Sequence, residues 1–189
     1  MGPGRYDAPN YFLNTPAGGR WKNYCKRAEG QNTLVINPNA TLDDQYVLAE
    51  CDFTSFEKTE NGGKAVLNMT DAYRMNGATN VAREFEFYDN SSLKITDNIE
   101  CIVPSEIYWF MHTKADIEIA DDEKTAILTI NNKQMKATLS DDGEFSVMNA
   151  EALKSRYEYD DGYSDIKKLT VHIGKAKTAV ITVTLEPVE

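Results

Sequence analysis

Histidine is nearly missing from this chain of 189 residues: His112 and His172 are the two it has. A histidine-built zinc centre is therefore not legible in the sequence. Cysteine is scarce too. Cys25, Cys51 and Cys101 are odd in number and far apart, which excludes a disulfide framework and a zinc knuckle. Three buried or half-buried thiols are expected instead. No apolar run is long enough to span a bilayer, so no transmembrane helix and no membrane partner are expected. The opening Met1-Gly2-Pro3-Gly4 leads into charged and aromatic residues, so no signal peptide is expected. There is no Gly-x-Ser-x-Gly elbow, and Gly18-Gly19 opens no strand–loop–helix unit that would cradle a phosphate.

What is present is β-structure. From residue 31 onward β-branched and aromatic residues recur with a period of two, broken by turn residues such as Asn61-Gly62-Gly63, Asp89-Asn90-Ser91 and Asp141-Asp142-Gly143. Strands are expected near 32–37, 46–54, 64–70, 80–88, 92–102, 106–113, 116–119, 125–131, 134–139, 144–149, 167–173 and 177–185. Helical signals are few: a turn or two over 149–157, and over Trp21–Lys26 either a short helical turn or an extended arm. Short strands without long helices between them predict one all-β domain over 1–189, an antiparallel β-sandwich of many short strands with little helix. Residues 1–30 read as an irregular N-terminal arm, because Pro3, Pro9, Pro16 and several glycines interrupt it.

Charge is uneven. The chain carries a net −10, which argues against a nucleic-acid partner. Yet residues 1–37 hold Arg5, Arg20, Lys22, Lys26 and Arg27 against Asp7 and Glu29, a local +3 that leaves −13 on the rest. A positive patch on an acidic body can draw in an anionic ligand, or it can be a solvated face without a partner.

That patch belongs to the most informative stretch. Arg20, Trp21, Lys22, Tyr24, Lys26 and Arg27 lead into a turn at Glu29-Gly30, then into the amides Gln31 and Asn32 and the apolar run Thr33–Ile36. Glycine suits a sharp bend there. The amides sit where a strand leaves a turn, able to bond a ligand or neighbouring backbone. The residues alone fit either a ligand-facing turn or an edge turn tied down by its own side chains. Tyr24, between Lys22 and Lys26, is the best-placed phenol for a proton-transfer role, or else an aromatic that packs the arm. His112 closes the aromatic strand Tyr108-Trp109-Phe110-Met111-His112, at a strand end where sites gather. His172, amid β-branched residues, reads as an ordinary strand histidine.

The run Arg20-Trp21…Tyr24…Lys26-Arg27-Ala28-Glu29-Gly30-Gln31-Asn32-Thr33-Leu34 resembles the Arg-x-x-x-His-Asn-Thr-Leu motif in the C-terminal β-domain of heparinase II/III-like polysaccharide lyases. Three further stretches fit the same family in the same order. They are Gly4-Arg5-Tyr6…Tyr11-Phe12, Met69-Thr70-Asp71-Ala72-Tyr73 and Ile107–Thr113 with its terminal His112.

The resemblance implies a chain that supports an upstream α/α-barrel and helps to line its cleft for an acidic polysaccharide, a glycosaminoglycan or alginate, cleaved by β-elimination. It implies a bacterial, secreted or periplasmic parent. The base and acid would come mainly from the barrel, so these 189 residues alone are expected to be inactive. Substrate-facing roles fall to Arg20, Trp21, Tyr24, Arg27, Gln31, Asn32 and His112, arginine because its fork matches uronate or sulfate. The family motif has a His, a zinc ligand, where this chain has Gln31. An amide is a poor zinc ligand, so no metal and no cofactor are expected here, and zinc would belong to the parent family. The alternative expectation is a free-standing carbohydrate-binding or structural β-sandwich without catalysis.

Overall fold

The structure, a computed structural model, describes residues 10–13, 15, 18–89, 91–150, 153 and 163–188. Ten strands are present among them: β1 (Leu34–Ile36), β2 (Asp52–Thr59), β3 (Gly62–Asn68), β4 (Ala78–Tyr88), β5 (Ser92–Thr113), β6 (Asp116–Ile119), β7 (Thr125–Ile130), β8 (Lys133–Asp141), β9 (Phe145–Asn149) and β10 (Lys167–Val188). One short helix, α1 (Thr70–Tyr73), precedes β4. No helix among the described residues is long and apolar enough to cross a membrane.

The all-β antiparallel architecture is as expected, and all ten strands join in one sheet. The strands run β2-β3-β4-β5-β10-β8-β7-β6, with β1 added to β5 and β9 added to β10. β5 and β10 are 22 residues each, where four shorter strands were expected. They pair along their length, with register breaks between Ile173 and Ala176 and between Ala176 and Thr178. Between these paired stretches Ser105 faces Ala176 and Glu100 faces Thr178. Four β5 residues, ending at Pro104, thus oppose a single residue of β10. Such bulges bend a strand and sharpen its twist. Alternation carries through the bend, so the sequence pattern marked two strands where the backbone makes one.

The first halves of β5 and the last half of β10 carry β4 and β8. The other halves carry β1 and β9. One apolar cluster joins residues of both ends: Leu34 and Ile36 of β1, Val81 of β4, Trp109 of β5, Leu139 of β8, Phe145 of β9 and Val171 and Val183 of β10. Each such buried side chain contributes about 1.5–3 kcal/mol to holding these strands together.

Among the described residues β1 pairs with β5 alone, and its other edge is closed by side chains. Arg83 Nη1 donates to Asn32 O, Tyr73 Oη to Leu34 O and Asn76 Nδ2 to Ile36 O, at 3.1, 2.8 and 2.9 Å. Three alternate carbonyls, two of them on buried residues of β1, are thus satisfied without a further strand. Arg83 is itself held by both oxygens of buried Asp97, at 2.7 and 2.8 Å.

Several expectations are corrected. Residues 46–51 are irregular, with a turn at 47–48, and β2 starts at Asp52, because Tyr46, whose N–H bonds to Ala72 O, anchors the chain to α1 instead. The short helix at Thr70–Tyr73 was not anticipated. Cys51 is exposed, while Cys25 and Cys101 are buried. The helical turn expected at 149–157 lies mostly outside the described residues; Asn149 itself ends β9. β2 is exposed on both faces, and the apolar side of the sheet runs out past its cover at Phe53, Phe56 and Phe87.

Candidate functional site

The half of the sheet built from β1, β5 and β10 has a second face. There Val35 and Phe110, with Tyr108 and Met148 packed against them, are covered by Ala28 of the N-terminal arm. The arm is a chain of three 3₁₀ turns, Gly19–Lys22, Tyr24–Lys26 and Ala28–Gly30. Gly30 is required by close approach: a Cβ there would lie 2.4 Å from Tyr24 O. The bend anticipated at this glycine is real, and its cause is contact with the preceding turn.

The arm is anchored by charge as well as by packing. Glu29 Oε1 meets Lys168 Nζ at 3.1 Å, and both side chains are buried. Glu29 Oε1 also accepts from Leu153 N at 2.9 Å. The Lys168 ammonium lies over the Phe110 ring at 4.3 Å and near the Tyr24 ring at 5.4 Å. Breaking one partner of such a pair leaves an uncompensated charge in a dry place.

Above this anchor the hydrogen bonds settle the orientation of three site residues. The backbone N–H of His112 can only donate, and it lies 2.8 Å from Asn32 Oδ1. Asn32 therefore presents its oxygen to His112 and keeps its amino group for another partner. His112 Nδ1 is 3.1 Å from the same oxygen, so Nδ1 carries the hydrogen. In the neutral ring Nε2 is then an acceptor, and Tyr24 Oη lies 2.7 Å from it. Tyr24 Oη also lies 3.2 Å from Glu29 O, the longer of the two contacts. Burial, helped by the Lys168 charge, pushes His112 down to about 4, which keeps the ring neutral at ordinary pH.

These residues border a cleft of about 430 Å3 at the end of β5, lined by Gly30, Gln31, Asn32, His112, Thr113, Lys114 and Ile166. Gln31 is exposed, and one N–H of its Nε2 donates to Cys25 O at 2.7 Å, which turns the amide so that its carbonyl oxygen and its second N–H remain to offer. Thr113 Oγ1 accepts from Ala115 N at 2.9 Å and retains its own hydrogen. The cleft therefore combines donors from Asn32, Thr113 and Lys114 with an acceptor from Gln31, a set suited to hydroxyl and carboxylate groups.

Of the residues singled out in the sequence, Gln31, Asn32 and His112 meet at this cleft, with buried Tyr24 directly behind His112. Arg20, Trp21 and Arg27 do not line it. Arg20 stacks on the Trp21 ring at 4.2 Å, and Trp21 is buried. Arg27 is buried, bonded to Asp44 at 2.6 Å, to Asn39 Oδ1 at 3.0 Å and to Leu42 O. Asp43, beside it, is pushed up to about 7, first by burial and then by the neighbouring Asp44 charge, against the pull of Arg27. The basic patch of the sequence is thus largely consumed in holding the arm. Tyr73 is also structural: it donates to Leu34 O, accepts from Gln45 at 2.6 Å, and burial pushes it up to about 12. Sequence reasoning missed Thr113, Lys114 and Ile166. The signal for the first two was available, since both follow His112 directly at a strand end.

The donors here do not fit a zinc ion. Gln31 stands at the motif's His position and offers an amide oxygen, a poor zinc ligand beside imidazole, and both ring nitrogens of His112 are in hydrogen bonds. Among the described residues no three of His, Cys, Asp or Glu gather as a ligand set.

Known proteins give this arrangement a context. The family described as Heparinase II/III-like, C-terminal matches residues 2–183. No curated protein matches the chain. Among solved structures, the heparinase III-BT4657 gene product aligns at 13% identity and TM-score 0.68, over 96% of this chain and 28% of that one. A structure described as heparinase III aligns at 13% identity and TM-score 0.64, over 87% and 24%. The heparan sulfate lyase HepC from Pedobacter heparinus aligns at 10% identity and TM-score 0.61, over 97% and 28%. This chain spans less than a third of the length of each, and at such identities the likeness is one of fold. With the family match covering nearly every residue, the chain belongs to the heparinase II/III-like C-terminal domain family.

Proposed function

We propose that this chain is the C-terminal β-domain of a polysaccharide lyase that cleaves an acidic, uronate-containing polysaccharide by β-elimination. In this reading an upstream α/α-barrel supplies the base that takes the C5 proton. The β-domain lines one side of the substrate path with Gln31, Asn32 and His112. The observation that carries it is the convergence of those three residues on one cleft, with Asn32 Oδ1 turned to His112. Tyr24 and His112 hold Asn32 in place, and Arg20, Trp21 and Arg27 build the arm behind it. The site is read as metal-free, because the Gln31 amide replaces the motif's imidazole. His112, neutral and bonded at both nitrogens, orients and does not abstract a proton.

The test is an NMR titration of the chain with a heparan sulfate tetrasaccharide. Amide shifts at residues 30–32 and 112–114, weakened in both Gln31→Ala and Asn32→Ala, are expected. The chain alone should produce no rise in ultraviolet absorbance from an unsaturated product. Shifts confined to other surfaces, or lyase turnover by this chain, would overturn the proposal.

A further inference from the structure

Among the described residues lining the cleft, Lys114 is the cation, and it is already engaged. Its Nζ lies 2.7 Å from Asp165 Oδ2. Both side chains are more than half exposed, at 62% and 57%. Asp165 sits on the segment that returns to β10. There Tyr163 packs on Tyr24 at a ring separation of 5.4 Å, Ile166 lines the cleft, and Lys167 meets Asp116 at 3.2 Å. Asp165 thus places a carboxylate of the chain itself at the cleft rim, on the charge an acidic sugar would need.

We propose that Asp165 acts as an internal stand-in for the substrate's anionic group, and that a uronate carboxylate or sulfate entering the cleft displaces it from Lys114. Two physical points support this. The pair is exposed, and exposed ion pairs are weak enough for a competing anion to exchange with them. The other groups on offer, the Asn32 amino group and the Thr113 hydroxyl, bond neutral sugar hydroxyls as readily as carboxylates, so discrimination for charge rests on Lys114. Asp165 then sets a threshold. A neutral sugar hydroxyl is too weak a competitor to take Lys114 from Asp165, while an anionic group can outcompete the tethered carboxylate. This inference rests on the cleft being the sugar site.

The experiment compares the chain with Asp165→Asn, Lys114→Gln and the double variant, by calorimetry and by amide shifts at residues 30–32. The probes are a heparan sulfate tetrasaccharide and neutral cellotetraose. Asp165→Asn should tighten the acidic probe about two- to five-fold, since that is what loss of an exposed competing pair is worth. Lys114→Gln should weaken it, and the double variant should match Lys114→Gln. Cellotetraose should respond to none of them. Because both side chains lie at the surface, melting temperatures should stay unchanged. If the chain binds the acidic probe at the cleft but Asp165→Asn binds it no tighter, the displacement is wrong and the sugar site stands. If neither the chain nor Asp165→Asn binds the probe at the cleft, the sugar site itself fails and the displacement with it.

Discussion

Asn32 Oδ1 accepts twice from one residue, from His112 N at 2.8 Å and from His112 Nδ1 at 3.1 Å. The side chain that ends the arm is thereby locked to the end of β5. A negative charge at this oxygen would draw a proton onto the ring. Asn32→Asp is therefore expected to raise His112 from about 4 toward its ordinary 6.5, while Asn32→Ala should not. Titration of the His112 ring resonances checks this. A ring that stays at about 4 in Asn32→Asp would show that the contact does not form.

Two groups in this region push acid stability in opposite directions. His112 is depressed in the folded chain, about 4 against 6.5, so the fold resists its protonation. Its contribution is whole above pH 6.5, falls as pH drops from 6.5 toward 4, and levels off below. Asp43 is raised, about 7 against 3.8, so its charged form is what the fold disfavours. That penalty is whole above pH 7 and is relieved as pH falls from 7 toward 3.8. Asp43→Asn, which imitates the protonated form, should raise the melting temperature at pH 8 by a few degrees, about 2–4 °C for each kcal/mol gained in a domain of this size. Below pH 3.8 it should make no difference. His112→Asn should flatten the loss between pH 6.5 and 4. Melting curves across this range separate the two.

The buried pair Glu29–Lys168 gives a third expectation. Lys168→Met removes one charge and strands the other under the arm, at a cost of about 3–5 kcal/mol. Adding Glu29→Gln removes the stranded charge and should recover a good part of that loss. Urea unfolding of the two variants measures the difference. Equal losses in both would mean that the ammonium's contacts with the Phe110 and Tyr24 rings matter more than its pairing with Glu29.

How much of this could be read beforehand follows the range of each interaction. Alternation is local, so the strands of β4, β6, β7 and the end of β10 were legible. The bend in β5 was not, because Glu100 and Ser105 are set apart by their partners on β10, far along the chain. Gln31, Asn32 and His112 were legible as site candidates because the amides follow the Glu29-Gly30 turn just ahead of β1, His112 lies at the end of β5, and all three fall in stretches that resemble the family's. The fate of Arg27 was not, since a guanidinium facing a sugar and one facing Asp44 look alike in sequence. Lys168 also gave no sign of its burial: among Lys167, Lys168 and Leu169 only the pairing of β10 with β5 and β9 decides which lysine turns inward.

Gly30 tests whether the arm's geometry makes the cleft. A Cβ there would meet Tyr24 O at 2.4 Å and Cys25 Cα at 2.9 Å, both backbone atoms that cannot swing aside. The turn holding them is tied on two sides, by Gln31 Nε2 at Cys25 O and by Tyr24 Oη at His112. Relief would require the arm to lift, which would pull Asn32 from His112 and open the Glu29–Lys168 pair. Gly30→Ala is accordingly expected to cost about 1–3 kcal/mol, the range for overpacking a tight site, and to change the amide shifts of Asn32 and His112 together. Gly174→Ala is the matched control, since nothing lies within 4 Å of its Cβ position, and it should be nearly neutral. A Gly30→Ala chain as stable as Gly174→Ala would show that the arm can slide over β5. The cleft would then be an adjustable surface, and Asn32 could not owe its orientation to the turn before it.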